Sequence, residues 1–177
     1  MSGQPRATTL RWIRSLGGPL LLLDRSWCAA WRGYPDDPTD EAGTDYERAC
    51  GIAGPIGPIA IGSGGGLVVA DGLILTTWVP AVTGGGCIIQ AYRDPGDAEL
   101  LALLSDLSPV MWGEGVCAIA LPTGRGFLFD AADGGTRIEA RLCLALAPGR
   151  YQVHTAEYAP SAATALRLHR LTPNTAI

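Results

Sequence analysis

Two histidines, His154 and His169, and five cysteines, Cys28, Cys50, Cys87, Cys117 and Cys143, are the side chains of this 177-residue chain best suited to base, nucleophile or metal chemistry near neutral pH. Their spacing argues against all three. A general base needs a reactive partner within hydrogen-bond reach, yet each histidine sits in a strand-like alternation, His154 between Val153 and Thr155 and His169 between Leu168 and Arg170. No CxxC occurs, no Cys/His pair has zinc-ligand spacing, and no GxSxG marks a hydrolase elbow. The glycine runs IGSGGG (61–66) and TGGG (83–86) invite a phosphate-binding reading. A phosphate cradle needs a helix N-terminus behind its glycines, whereas a strand-like LVV follows Gly66 and the chain has no lysine. The residues therefore point to no enzyme, no cofactor and no metal, and a hydrolase using Cys50 or His154 ranks third among the functions considered.

Charge placement says more. Residues 36–47 read DDPTDEAGTDYE and hold Asp36, Asp37, Asp40, Glu41, Asp45 and Glu47, with no basic residue before Arg48. Most such runs are solvated loops. The alternative is a surface that docks a basic partner, with Trp31, Tyr34 and Tyr46 beside it as aromatic anchors of the kind interfaces favour. This run and a net charge of -4 would repel nucleic acid, so binding to DNA or RNA is not expected. The absence of lysine carries little functional weight, because abundant Ala, Gly, Pro and Arg reflect a GC-rich coding background equally well.

The elements that must position these residues are mainly strands. With 47% hydrophobic and 17% charged residues, the chain can bury a core of ordinary size, and one domain over 1–177 is expected, with 1–9 and 172–177 as flexible termini. Short β-rich runs fall at 56–61, 67–70, 73–79, 87–93, 116–121 and 126–130, punctuated by glycine. In TRIEARLCLAL, Ile138, Ala140, Leu142, Leu144 and Leu146 alternate with more exposed positions, as in a half-buried strand. Pro148-Gly149 then reverses the chain onto a partner strand carrying Tyr151, Val153 and Thr155, and a last strand begins at Leu166 and ends near Leu171.

One helix is well signalled at about 94–107. Asp94 can cap it, Pro95 suits its first position, and Leu100, Leu103, Leu104 and Leu107 share a face before Ser108-Pro109 ends it. A shorter helix is expected from Asp24 as N-cap through Trp31. The fold class expected is mostly β (α+β), an antiparallel sheet or a sandwich; the alternation does not choose between them.

The leucine run SLGGPLLLLDRSWC at 15–28 raises the question of export. A secretory signal needs roughly 7 to 15 unbroken apolar residues and a small-residue cleavage site. Here Gly17, Gly18 and Pro19 interrupt the run, Asp24 stops it, and bulky Trp27 and Trp31 follow. A membrane span would need about 20 apolar residues. The run reads instead as a strand candidate at 10–16, a turn, and a short buried strand at 20–23, which predicts a cytoplasmic protein with its cysteines reduced.

Read together, several segments resemble the immunity protein 21 family of bacterial polymorphic toxin systems: WIRSLGGPLLLL at 12–23, the Trp-x-Gly of Trp31 and Gly33, DYERAC at 45–50, TTWVP at 76–80 and PGRY at 148–151. The resemblance implies a mostly β cytoplasmic protein that binds and neutralises a cognate toxin domain, so that the producing cell survives. Holding a lethal partner nearly fully bound calls for nanomolar dissociation constants or better, about -12 kcal/mol. A nucleic-acid-cleaving toxin would carry a basic cleft that an acidic loop could enter and steer towards. The family supplies no binding residues to carry over, so the expected interface (Trp31, Tyr34, Asp36, Asp37, Asp40, Glu41, Asp45, Tyr46 and Glu47) rests on residue chemistry alone. The competing reading is a β-rich small-molecule-binding or regulatory module without catalytic activity.

Overall fold

Alternating side chains sort into three separate apolar clusters, and that sorting defines the architecture. The computed structural model describes residues 9–35, 44–82, 84–94, 96–115 and 117–174. Among them the strands are β1 (Trp12–Ile13), β2 (Leu20–Asp24), β3 (Ile56–Ile61), β4 (Gly64–Val69), β5 (Leu75–Pro80), β6 (Gly86–Arg93), β7 (Cys117–Leu121), β8 (Arg125–Asp130), β9 (Arg141–Ala145), β10 (Gly149–Ser161) and β11 (Thr164–Pro173). One sheet has the order β1-β5-β6-β11-β10-β7 and the other β3-β4-β2-β8-β9, with every pairing antiparallel. Two short helices, α1 (Asp45–Cys50) and α2 (Asp97–Leu104), and a 3₁₀ helix at Arg25–Ala30 complete the elements of the described residues. The protein is mostly β, as expected, and it is a sandwich.

Leu20, Leu22, Leu128 and Leu144 from the smaller sheet meet Ile88, Tyr151, Val153 and Leu171 from the larger one in the inter-sheet core. Strand periodicity sends the intervening residues outward. Leu21, Leu23, Val68 and Phe129 therefore form a second cluster, covered by Cys28 and Trp31 of the 3₁₀ segment and Ala49 of α1. On the far side, Cys87, Ile89, Leu166 and Leu168 form a third cluster under Leu100 of α2 and Val110. Both sheets are thus buried on both faces. That is why LLLLD reads as an unbroken apolar run and not as an alternation.

Local signals account for the covering elements. The Asp24 carboxylate accepts hydrogen bonds from Ser26 N and Oγ and from Thr123 N and Oγ1, capping the 3₁₀ helix and tying it to the β7–β8 turn. Burial alone would raise its pKa, but these bonds outweigh burial and hold it below the usual carboxylate value. The glycine run before Leu67 lies within β4 and does not merely separate strands. A Cβ on Gly64 would fall about 2.2 Å from the Trp27 ring, so the missing side chain is the space into which that indole packs.

Several sequence expectations shift at their edges. The strand expected at 10–16 shortens to Trp12–Ile13, the helix expected over 94–107 to Asp97–Leu104, and β11 runs on to Pro173, into the stretch expected to be a flexible terminus. Asp94 does not cap α2: its Oδ1 accepts from Gly96 N, one turn too early, and Gly96 is the N-cap. Pro95 and Val116 lie outside the described residues. Leu107 still packs against the third cluster from beyond the helix end. The alternation from Ile138 to Leu146 breaks at Arg141: Ile138 packs on the outer cluster, whereas Leu142 and Leu144 point to the inter-sheet core. Pro148-Gly149 links the two sheets and makes no hairpin, for β10 pairs with β7 and β11.

The inter-sheet space has a polar end. His169 is fully buried, with Nδ1 2.9 Å from Thr155 Oγ1 and Nε2 3.2 Å from Gln90 Oε1. Gln90 Nε2 already donates to Ala70 O, so its Oε1 must accept from His169 Nε2–H, which leaves Nδ1 to accept the threonine hydroxyl. Burial, reinforced by the neighbouring Arg167 charge, lowers the His169 pKa to about 3 and keeps the ring neutral. Arg167 itself pairs with Asp71 and Glu157, each at 2.6 Å.

Two predictions follow from this packing. Leu142 and Leu144 are 4% and 1% exposed whereas Cys143 between them is exposed, so Leu142→Ala and Leu144→Ala should each cost about 2 to 5 kcal/mol in denaturant unfolding and Cys143→Ser less than about 0.5. Equal effects at the three positions would refute the assigned faces. His169 binds a proton at its ordinary value of 6.5 when unfolded but only near 3 when folded, so between those values the unfolded chain carries more protons and stability falls as pH drops. From pH 7 to pH 5 the parent protein should lose about 2 kcal/mol more than the His169→Gln variant. Parallel losses would mean that the folded protein accommodates a charged ring.

Candidate functional site

The end of the 3₁₀ helix, the loop after it, the N-cap of α1 and the loop between β8 and β9 surround a cleft of about 530 Å³, lined by Trp31, Arg32, Gly33, Tyr34, Thr44, Asp133, Arg137 and Glu139 among others. Its walls are fixed by backbone approach. Tyr34 N donates to Ala132 O at 2.9 Å, Gly135 N to Trp31 O at 3.1 Å, and the indole N–H of Trp31 to Ala131 O at 2.9 Å. A Cβ on Gly33 would lie about 2.2 Å from Ala132 O, and one on Gly135 about 1.7 Å from Cys28 O. Only glycine at both positions lets these two segments touch.

The candidate interface residues divide into groups here. Trp31 is 2% exposed and forms the floor of the cleft, with its ring in the outer core. Tyr34 is 60% exposed and stands edge-on to Tyr46, with ring centroids 5.6 Å apart at 80°. Tyr46 is half-buried, and burial followed by a bond with Cys50 pushes its phenol up to about 12, so it stays neutral. Asp45 is engaged within the fold: one oxygen accepts from Arg32 N at 2.9 Å and the other pairs with Arg48 at 2.6 Å. Glu47 closes a capping box with Thr44, each side chain accepting from the other's backbone N–H at 3.1 Å. Asp36, Asp37, Asp40 and Glu41 lie outside the described residues, between Pro35 and Thr44 at the cleft.

Sequence reasoning missed Asp133, Arg137 and Glu139, which sit in a loop without periodicity and reach the cleft only because Gly33 and Gly135 dock that loop against the 3₁₀ segment. Burial raises the Asp133 pKa, opposed by a hydrogen bond from Glu139 N and reinforced by the charges of Asp130 and Glu139. The cleft thus mixes both signs of charge around an exposed tyrosine, a composition suited to recognition.

Catalytic geometry is not assembled from the candidate bases and thiols. Cys50 lies on α1 outside the smaller sheet, whereas His154 lies on β10 of the larger one, with Nδ1 3.4 Å from Gly113 O. The described cysteines are free thiols, and Cys28 and Cys87 are pushed up to about 11 and about 12, chiefly by burial, so neither supplies a thiolate near neutral pH. Among the described residues no cluster of His, Cys, Asp and Glu could hold a metal ion, and no helix is long and apolar enough to cross a membrane.

The model of the immunity protein 21 family matches residues 11–164, most of the chain and the strands β1 to β10. No curated protein and no solved structure matches it. The family match spans the leucine strand, the cleft, the whole smaller sheet and every strand of the larger one except β11, and on that extent the chain belongs to the immunity protein 21 family.

Proposed function

We propose that this immunity protein binds a cognate toxin domain of a polymorphic toxin system in the cytoplasm of the producing cell and neutralises it by occupying its functional surface, as one non-catalytic domain. The observation that carries the reading is the family match over residues 11–164. Support for the location of the interface comes from Tyr34, an exposed aromatic ring held by Tyr46 beside a cleft, and in sequence the acidic run begins two residues after it. A rigid, amphipathic ring loses little entropy on docking and suits the desolvated centre of an interface. The adjacent acids would sit against a basic toxin cleft and accelerate encounter. Asp45 and Glu47 contribute by building α1, and Trp31 by supporting the floor.

The test uses the toxin domain encoded beside the gene. Reversing Asp36, Asp37, Asp40 and Glu41 together to Arg should slow association by about tenfold or more at low salt, with little change at high salt and an almost unchanged melting temperature. Tyr34→Ala should raise the dissociation rate, by a factor of about 30 for a loss of 2 kcal/mol, again without unfolding the protein. Trp31→Ala should unfold it. Unchanged rates for the quadruple reversal and for Tyr34→Ala would move the interface elsewhere; failure of the intact protein to bind that toxin or rescue cells expressing it would overturn the function itself.

A further inference from the structure

On the face of the protein away from the Tyr34 cleft, a second cavity of about 210 Å³ opens between the end of α2 and the ends of β5, β6 and β11. Val79, Cys87, Leu104, Leu107 and Leu171 give it an apolar wall, and Arg170 is its charged residue. Arg170 stands on the outer side of β11, where its guanidinium lies 4.1 Å over the ring of Trp112. Its Nε is buried without a hydrogen-bond partner, and among the described residues no carboxylate pairs with it. Arg167, three residues earlier on the opposite face, shows the contrast: it has two carboxylates at 2.6 Å.

A buried N–H without an acceptor costs free energy that folding normally avoids. The cation–π contact stabilises the charge of Arg170 but offers its Nε–H no acceptor. Cys87 does not supply the missing anion, because burial keeps its thiol protonated and its sulfur bonds to Ile88 O. The cavity therefore combines an apolar wall with one fixed guanidinium that lacks a counter-charge. A guanidinium held against an aromatic ring is suited to a carboxylate, which accepts from it along its edge. The volume equals that of about seven waters at their ~30 Å³ share of the liquid, room for a short-chain carboxylate.

We propose that this cavity is a binding site for a small amphipathic carboxylate, a free organic acid with a short aliphatic or aromatic tail. The carboxylate pairs with the Arg170 guanidinium, and the tail packs on Leu104, Leu107 and Val79. The site is independent of the toxin interface and holds whether or not Tyr34 contacts a partner.

Hexanoate, hexan-1-ol and hexylamine, titrated separately into ¹⁵N-labelled full-length protein, test it. Hexanoate should produce saturable amide shifts at Gly84, Gly86, Cys87, Leu104 and Thr172, and the alcohol and amine should bind at least about tenfold more weakly, the factor expected for one charge-assisted pair. Arg170→Gln should lose the same factor while its amide spectrum stays dispersed. Leu107→Trp, which fills the cavity and leaves Arg170 in place, should abolish binding, so the outcome does not rest on the arginine variant folding. Absent or non-saturable shifts, equal affinity for hexan-1-ol, or shifts that map to the Tyr34 cleft would each overturn the proposal.

Discussion

The structure depends on burying β2 from both sides. Four consecutive leucines, each 0% exposed, occupy the centre of the smaller sheet, with β4 on one edge and β8 on the other. A two-sheet sandwich needs only one apolar face per sheet. Placing leucine at every position of β2 obliges something to cover the outside as well, at about 25 cal/mol for each Å² otherwise left in water. The covering is done by six residues of 3₁₀ helix and six of α1, elements too short to be stable alone. They hold because Asp24, at the end of the same strand, caps the first, and Asp45 and Glu47 tie down the second. The surface with the clearest features for recognition is thus a by-product of the covering layer: the cleft lies where the 3₁₀ segment, α1 and the 131–140 loop meet.

This dependence changes the meaning of the acidic run. In sequence, its six carboxylates look equivalent. In the structure Asp45 and Glu47 are spent on capping and pairing, and their charges are partly offset by Arg48 and the helix N-terminus. The other four acids of the run, Asp36, Asp37, Asp40 and Glu41, lie outside the described residues. Trp31 shifts in the same way, from a candidate anchor to a floor whose indole N–H is bonded inside the protein. Under the proposed function, recognition and folding draw on different residues. A variant at Tyr34 can then report on affinity without reporting on stability.

How much of this was legible in the sequence follows from the range of the interactions involved. Leu20 to Leu23 announced a short buried strand, and Asp24 announced a cap, because both signals are local in the chain. The register of Leu142 and Leu144 was likewise readable from alternation. The order of strands was not: β11 lies between β6 and β10, and β2 between β4 and β8, by pairings that no local pattern encodes. The same limit hid the role of Gly64, whose neighbour Trp27 is 37 positions away, and it concealed Asp133 and Glu139 from the candidate site. Ile138 was assigned to the wrong face for a related reason. The period of two continues in the letters after the strand itself has ended, and the chain turns before Arg141.

The two sheets also differ in what they enclose. Leucines fill one end of the inter-sheet space, but Gln90, His169 and Thr155 line the other, passing into the Arg167, Asp71 and Glu157 ion pairs at the surface. A polar end fixes registry, since sliding β11 by one residue against β6 and β10 would bury Arg167 and Arg170 on exchanged faces and strand the imidazole without acceptor or donor. The outward position of Arg170, over Trp112 and beside an apolar cavity, is thus set by the same register that buries His169. Specification of the larger sheet by polar pairs and of the smaller by leucine packing leaves Arg170 as a charge that the fold positions but does not neutralise.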